Sequence, residues 1–158
     1  RLEVTKGKFK DINIRDVVKK VHDADIEIIA NYIFGLPKDS IETMQKTLDL
    51  SLELCTLAWN AYPSMALPGS LLYKIALDTN FKLPKDYSGY SFLAYDTIPL
   101  PTEFLTSEEI VKFRDDAFTA YHTHVPFLEK VEKKFGKKAR QNIEKMTKLK
   151  LKRQILGD

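Results

Sequence analysis

Apolar positions recur along the chain with two different periods. Ile14, Val17, Val18 and Val21 follow the i, i+3, i+4, i+7 stripe of an amphipathic helix, and Asn13 or Asp11 can cap its start. Ahead of it, Arg1 to Lys6 ends at Gly7 and reads as the tail of a helix whose beginning is missing. The polar turn Asp23-Ala24-Asp25 leads into IEIIANYIFGLP, Ile26 to Pro37, whose β-branched and aromatic content predicts a strand. Its run of apolar residues is nearly continuous, which predicts a strand covered on both faces, as in parallel α/β sheets. Pro37 ends it, because proline has no amide for the ladder.

A helix is expected next, capped by Asp39 or Ser40, with Ile41, Met44, Leu48 and Leu52 on one stripe. A second strand follows over about Leu57 to Met65. Strand, helix and strand in so short a span make a βαβ unit. Leu67-Pro68-Gly69-Ser70 then turns the chain and caps a short helix through Leu72, Tyr73 and Ala76. Residues 80–106 are rich in Pro, Tyr, Gly and Asp without a sustained period. A loop of that length in a compact domain is usually functional, as a lid, or lies along a partner surface.

Helix resumes at Thr106, which caps, with Glu109 in the capping-box position. Ile110, Phe113, Ala117, Ala120 and Tyr121 form its inner stripe. Pro126 begins another helix, with Leu128, Val131 and Phe135 inward and Gly136 at its end. A last helix is expected from about Lys137 to Leu156, carrying Ile143, Met146, Leu149 and Leu151. The order divides the chain into an α/β portion at 1–79, a long Tyr/Pro-rich loop at 80–106 and a helical extension at 107–158.

Composition narrows the class. With 44% hydrophobic and 30% charged residues the 158-residue chain reads as a folded globular domain, or a large piece of one, not a disordered one. Its apolar runs are too short to span a bilayer, and no leader-like start is present, so a cytoplasmic location is expected. Between Glu129 and Arg153 stand eleven Lys/Arg against three Glu, which leaves the rest of the chain net acidic. A non-catalytic module binding nucleic acid through these basic helices is one reading of the block. A solvated face of surface helices is favoured over it, since the block lacks the interleaved aromatics of a stacking platform.

Candidate chemistry concentrates at strand ends, where parallel sheets hold ligands. Asn31 and Asn60 occupy comparable places on the two strands, each among apolar residues. A buried amide without a partner costs roughly 1–3 kcal/mol, so each must meet backbone, water or a ligand. His22, His122 and His124 have no metal-like spacing with acids. Arg114 reads as an interior ion-pair partner, or else a carboxylate contact. Glu108, Glu109, Asp115 and Asp116 read as helix-start or surface acids. Cys55 is the lone cysteine; it can form no internal disulfide and cannot alone build a cysteine metal site. It reads as a packing cysteine near a helix end.

NYIFGLPKDSIETMQKTLDLSLEL followed by LAWNAYPSMALPGSLLY resembles the later half of a radical S-adenosylmethionine (SAM) enzyme. The matching residues are Ile33 to Pro37, Asp39, Ser40, Glu42 and Thr43, then Pro68, Gly69, Ser70, Leu72 and Tyr73. The segment YSGYSFLAYDTIPLPTEFLTSEEIVKFRDDAFTAYHT resembles the carboxyl-terminal extension of a bacterial subgroup, some members of which carry an amino-terminal cobalamin-binding domain. The resemblance implies a carboxyl-terminal portion of a partial (β/α)6 barrel followed by an all-helical extension. It implies SAM across the carboxyl ends of the strands, with Asn31, Ile33, Gly35, Asn60 and Tyr62 as cofactor-binding residues and Ile33 as an apolar adenine contact. Asn31 stands where the family pattern has glycine, and Lys38 where it has an acid. The CxxxCxxC motif that holds the [4Fe–4S] cluster is absent, so this chain alone cannot bind the cluster. The expected partner is therefore the amino-terminal part of the same polypeptide, with cobalamin an optional further cofactor. Two strands with open edges also predict self-association of the isolated chain, or else marginal stability.

Overall fold

The computed structural model describes residues 6–158. The helix end expected over Arg1 to Lys6 lies, but for Lys6, outside these residues. In chain order the elements are α1 (Ile14–Asp23), β1 (Ile29–Phe34), α2 (Ile41–Leu54), β2 (Ala58–Pro63), α3 (Leu71–Asp78), α4 (Ser107–His122), α5 (Val125–Phe135) and α6 (Lys137–Met146), with 3-10 turns at Tyr87–Tyr90 and Gln154–Leu156. The class is mixed α/β. No helix among the described residues is long and apolar enough to cross a membrane.

The helix starts follow local chemistry. Asn13 accepts from the Arg15 amide, Ser70 from the Tyr73 amide, and Ser40 and Thr106 each form a reciprocal capping box, with Thr43 and Glu109 respectively. Ser40, not Asp39, is the cap of α2. Asp39 instead braces the turn that ends β1: its Oδ2 accepts from the amides of Gly35 (3.0 Å) and Leu36 (2.9 Å), and its Oδ1 accepts from Thr43 Oγ1 (2.8 Å). Gly35 has φ +79°, and a Cβ there would stand 2.8 Å from Ile110 Cγ2. Glycine is required twice over, by backbone conformation and by the close approach of α4.

β1 and β2 pair in parallel, in the register Ile29↔Ala58 through Asn31↔Asn60 and Ile33↔Tyr62 to Phe34↔Pro63. The near-continuous burial expected of β1 is not what forms. Exposure alternates along it, with Ile29 65% and Ile33 48% exposed while Phe34 is fully buried. The reason is architectural: these two strands make the whole sheet of the described residues, and α2 and α4 pack on one of its faces. Phe34, Trp59 and Ala61 face Met44, Leu48, Ile110, Ala117 and Tyr121 in the main core, which continues into Phe127, Leu128 and Val131 of α5. Trp59 stacks on Tyr121 with ring centroids 5.1 Å apart. The Tyr121 hydroxyl donates to the Thr56 carbonyl (2.6 Å) at the entrance to β2.

The helical extension departs from expectation in three places. The stripe of α4 is shifted, with Val111, Arg114 and His122 buried and Ala120 exposed. Phe135 is 58% exposed. The last helix stops at Met146, and Leu149 and Leu151 are exposed. Beyond Met146 the sequence TKLKLKR alternates apolar and basic residues, a period of two that does not sustain a helical stripe. Residues 80–106 hold no regular element beyond the 3-10 turn, yet they are packed: Thr97 and Pro99 are fully buried and the Leu100 amide donates to the Ser64 carbonyl (2.9 Å).

Candidate functional site

Register places Asn31 opposite Asn60 and Ile33 opposite Tyr62 on the open face of the strand pair. The two amides meet, as Asn60 Nδ2 donates to Asn31 Oδ1 (3.2 Å); the Tyr62 hydroxyl reaches the same oxygen at a long 3.5 Å. Both asparagines are exposed, which corrects the expectation of buried amides. Their polar atoms are turned to the open side of the sheet, available to a ligand at little desolvation cost.

Just beyond, at the carboxyl ends of the strands, lies a groove of about 330 Å³ lined by Ile33, Leu36, Tyr62, Met65, Tyr90 and Phe92, among others. The two strands supply its floor and the 80–106 loop supplies one wall. Phe92 is held from both sides: Tyr62 meets it edge-on with centroids 4.9 Å apart, and the Arg114 guanidinium lies over its ring at 4.9 Å. A second, larger concavity near the ends of α1 and α5 is lined by His22, Asp25, Glu27, Lys130, Lys133 and Lys134. There Lys134 pairs with Glu27, and Lys130 donates to the Cys55 carbonyl (2.5 Å).

The expected site residues thus divide. Asn31, Asn60, Ile33 and Tyr62 share one face, and two of them line the groove. Gly35 shapes the turn below it and packs on Ile110. Cys55 is the half-buried C-cap of α2 in a left-handed conformation, φ +43°, and not a fully buried packing residue. Burial pushes its thiol pKa up, away from the reactive thiolate form. No group of three His, Cys, Asp or Glu side chains among the described residues is placed to hold a metal ion.

Arg114 is buried and ion-paired, as its position predicted. Its Nε donates to the Ala61 carbonyl (2.9 Å) and its Nη1 to Asp115 Oδ1 (2.9 Å). Asp115, expected at the surface, also takes a fork from Arg153, through Nε (2.8 Å) and Nη2 (2.9 Å). Arg153 itself is 1% exposed, against its expected place in a solvated basic face. Nothing in sequence spacing separates Arg153 from its lysine neighbours; what selects it is a planar fork that matches a carboxylate. Within the basic block, Arg140 bridges Glu132 and Glu144. His122 lies buried among Trp59, Phe118, Tyr121 and Phe127, and its Nδ1 lies 2.8 Å from the Phe118 carbonyl. His124, by contrast, sits at the N-cap of α5, so the two histidines share no site.

No family model, curated protein or solved structure matches the chain.

Proposed function

We propose that the chain contributes part of the SAM- and substrate-binding face of a radical SAM enzyme, as a carboxyl-terminal portion of its partial (β/α)6 barrel with a helical extension. The observation that carries this reading is the parallel strand pair with helices on one face and Asn31, Asn60, Ile33 and Tyr62 on the other, opening into a groove at the strand ends. A barrel wall has this polarity, with helices outside, ligand groups inside and the site at the carboxyl ends. The motif IFGLPKDSIET is its sequence counterpart.

The residues present fit an adenosyl ligand. Ile33, Tyr62 and Phe92 offer flat apolar contact to a purine ring, and an asparagine amide can pair with two of its edge atoms at once. When bound, SAM supplies a carbon radical on one-electron reductive cleavage. The roles available to this chain are to bind the nucleoside and to exclude water at the groove wall. The residues do not fit the [4Fe–4S] cluster, which needs three thiolates, since Cys55 is alone and faces away from that chemistry as a helix cap. On this reading the cluster ligands come from the amino-terminal part of the same polypeptide, with cobalamin an optional further cofactor.

Titration of the chain with SAM, followed through the side-chain amide resonances of Asn31 and Asn60, tests the binding role. Saturable shifts confined to these amides and to Ile33, Tyr62 and Phe92 are expected. The absence of any shift at millimolar ligand would count against it.

A further inference from the structure

The aromatic wall of the groove is not held by the strands alone. Residues 153–158 fold back against the segment that carries Tyr90 and Phe92. Arg153 Nη1 donates to the Ala94 carbonyl (3.0 Å), the Gln154 amide donates to the Tyr95 carbonyl (2.9 Å), and the Tyr95 hydroxyl donates to the Asp158 carbonyl (3.0 Å). The tail closes on itself as well, because the Arg153 amide donates to Asp158 Oδ2 (3.0 Å). Its anchor is the Asp115 carboxylate, shared with Arg114, whose guanidinium underlies Phe92 and whose Nε holds the β2 carbonyl of Ala61.

We infer that Arg153 is a positioning residue for the groove, and that the carboxyl-terminal segment acts as a latch whose engagement holds the Tyr90–Phe92 wall against Tyr62. One partly buried carboxylate, Asp115, joins the tail, the wall and the strand, so releasing the tail frees the wall while Arg114 stays paired with Asp115 and β2. Opening is then local. Among the described residues the backbone bonds of 86–98 stay within the segment, apart from the one Tyr95 accepts from the Gln154 amide. The next tie is the Leu100 amide on the Ser64 carbonyl, so the segment can move as a unit once the latch is gone. This device controls access to the groove whatever ligand the groove takes, so it does not depend on the cofactor reading.

The test compares Arg153→Ala and Tyr95→Phe with the parent chain by amide hydrogen exchange and by thiol accessibility. For the latter, a thiol is placed at the buried groove position Ser64 in a Cys55→Ser background and alkylated with iodoacetamide. Loss of Arg153 should speed exchange across 86–100 and alkylation at position 64 by about tenfold or more, while α4 and α5 exchange as before. Tyr95→Phe, which removes one hydrogen bond and leaves the buried network intact, should act in the same direction by about two- to fivefold. Unchanged exchange and alkylation in both variants would overturn the latch. So would acceleration spread equally over α4 and α5, which would make Arg153 a general stabiliser only. Should Arg153→Ala not fold, the Tyr95→Phe result decides by the same criteria.

Discussion

Arg114 of α4 donates through Nε to the carbonyl of Ala61 across 2.9 Å, reaching the middle of β2 from a helix 53 residues away in sequence. The contact fastens the helical extension to the edge of β2 that faces away from β1, and it does so with a charge that is almost wholly buried. Removing one partner of a buried pair leaves the other uncompensated, at a cost of about 3–5 kcal/mol. Asp115 retains Arg153, so the lower end applies. Arg114→Leu should lose about 3 kcal/mol of unfolding free energy in urea titration, and Arg114→Lys should recover only part, lacking the planar fork.

Gly35→Ala should destabilise by about 2–4 kcal/mol, combining the left-handed backbone penalty with overpacking against Ile110. Gly69, also at positive φ but with open space around it, provides the comparison. Gly69→Ala should lose only the conformational part, about 1 kcal/mol. Equal losses in the two variants would show that the contact with Ile110 contributes nothing.

The helix starts were legible because caps are local chemistry: Asn13, Ser40, Ser70 and Thr106 each announced a helix that forms there. The strand pair and its parallel direction were legible from IEIIANYIFGLP and its partner as a βαβ unit. The burial of β1 was not, because an apolar run does not reveal how many strands or helices exist to cover it. Ile29 and Ile33 lie in that run and stand exposed. The network of Arg114, Asp115 and Arg153 joins residues 38 positions apart, and no periodicity links them. The same holds for the groove wall: Tyr90 and Phe92 belong to a segment rich in aromatics, but the meeting of Phe92 with Tyr62 involves a tail fold that TKLKLKR does not signal.

His122 should make the fold sensitive to acid. Burial pushes its pKa down, helped by Arg114, while the hydrogen bond to the Phe118 carbonyl pulls the other way. The folded state therefore keeps the ring neutral, whereas the unfolded imidazole gains its proton at about pH 6.5. Its contribution is fully present above that pH and is lost as pH falls toward the depressed folded value. Parent chain and His122→Phe compared between pH 7.5 and 5 on the order of half a unit apart should diverge, the parent losing up to ~1.4 kcal/mol more per pH unit.

Tyr121 acts at the other end of the scale. Burial raises its pKa, against the hydrogen bond to Thr56 that lowers it. The neutral phenol is favoured in the fold, so its stabilisation is complete below about pH 10 and declines above it as the unfolded chain ionises. Tyr121→Phe should be less stable at neutral pH yet show a shallower loss above about pH 10, measured as the urea midpoint.

The open face of the two-stranded sheet should drive association of the isolated chain. Sedimentation velocity should show concentration-dependent dimers or larger species. Ile33→Lys, on an exposed position, should shift the distribution toward monomer without lowering the unfolding midpoint. A monodisperse parent monomer at high concentration would contradict this.

The most direct measurement is reconstitution of the chain together with whatever polypeptide region its gene encodes ahead of Arg1, with iron, sulfide and a one-electron reductant, scored by reductive cleavage of SAM. The account predicts a brown iron–sulfur protein that cleaves SAM, and loss of SAM affinity in Tyr62→Ala and in Asn31→Ala, whose exposed side chain should cost under about 1 kcal/mol of stability. A preceding region with no three-cysteine motif, or a reconstituted protein that neither binds nor cleaves SAM, would contradict it.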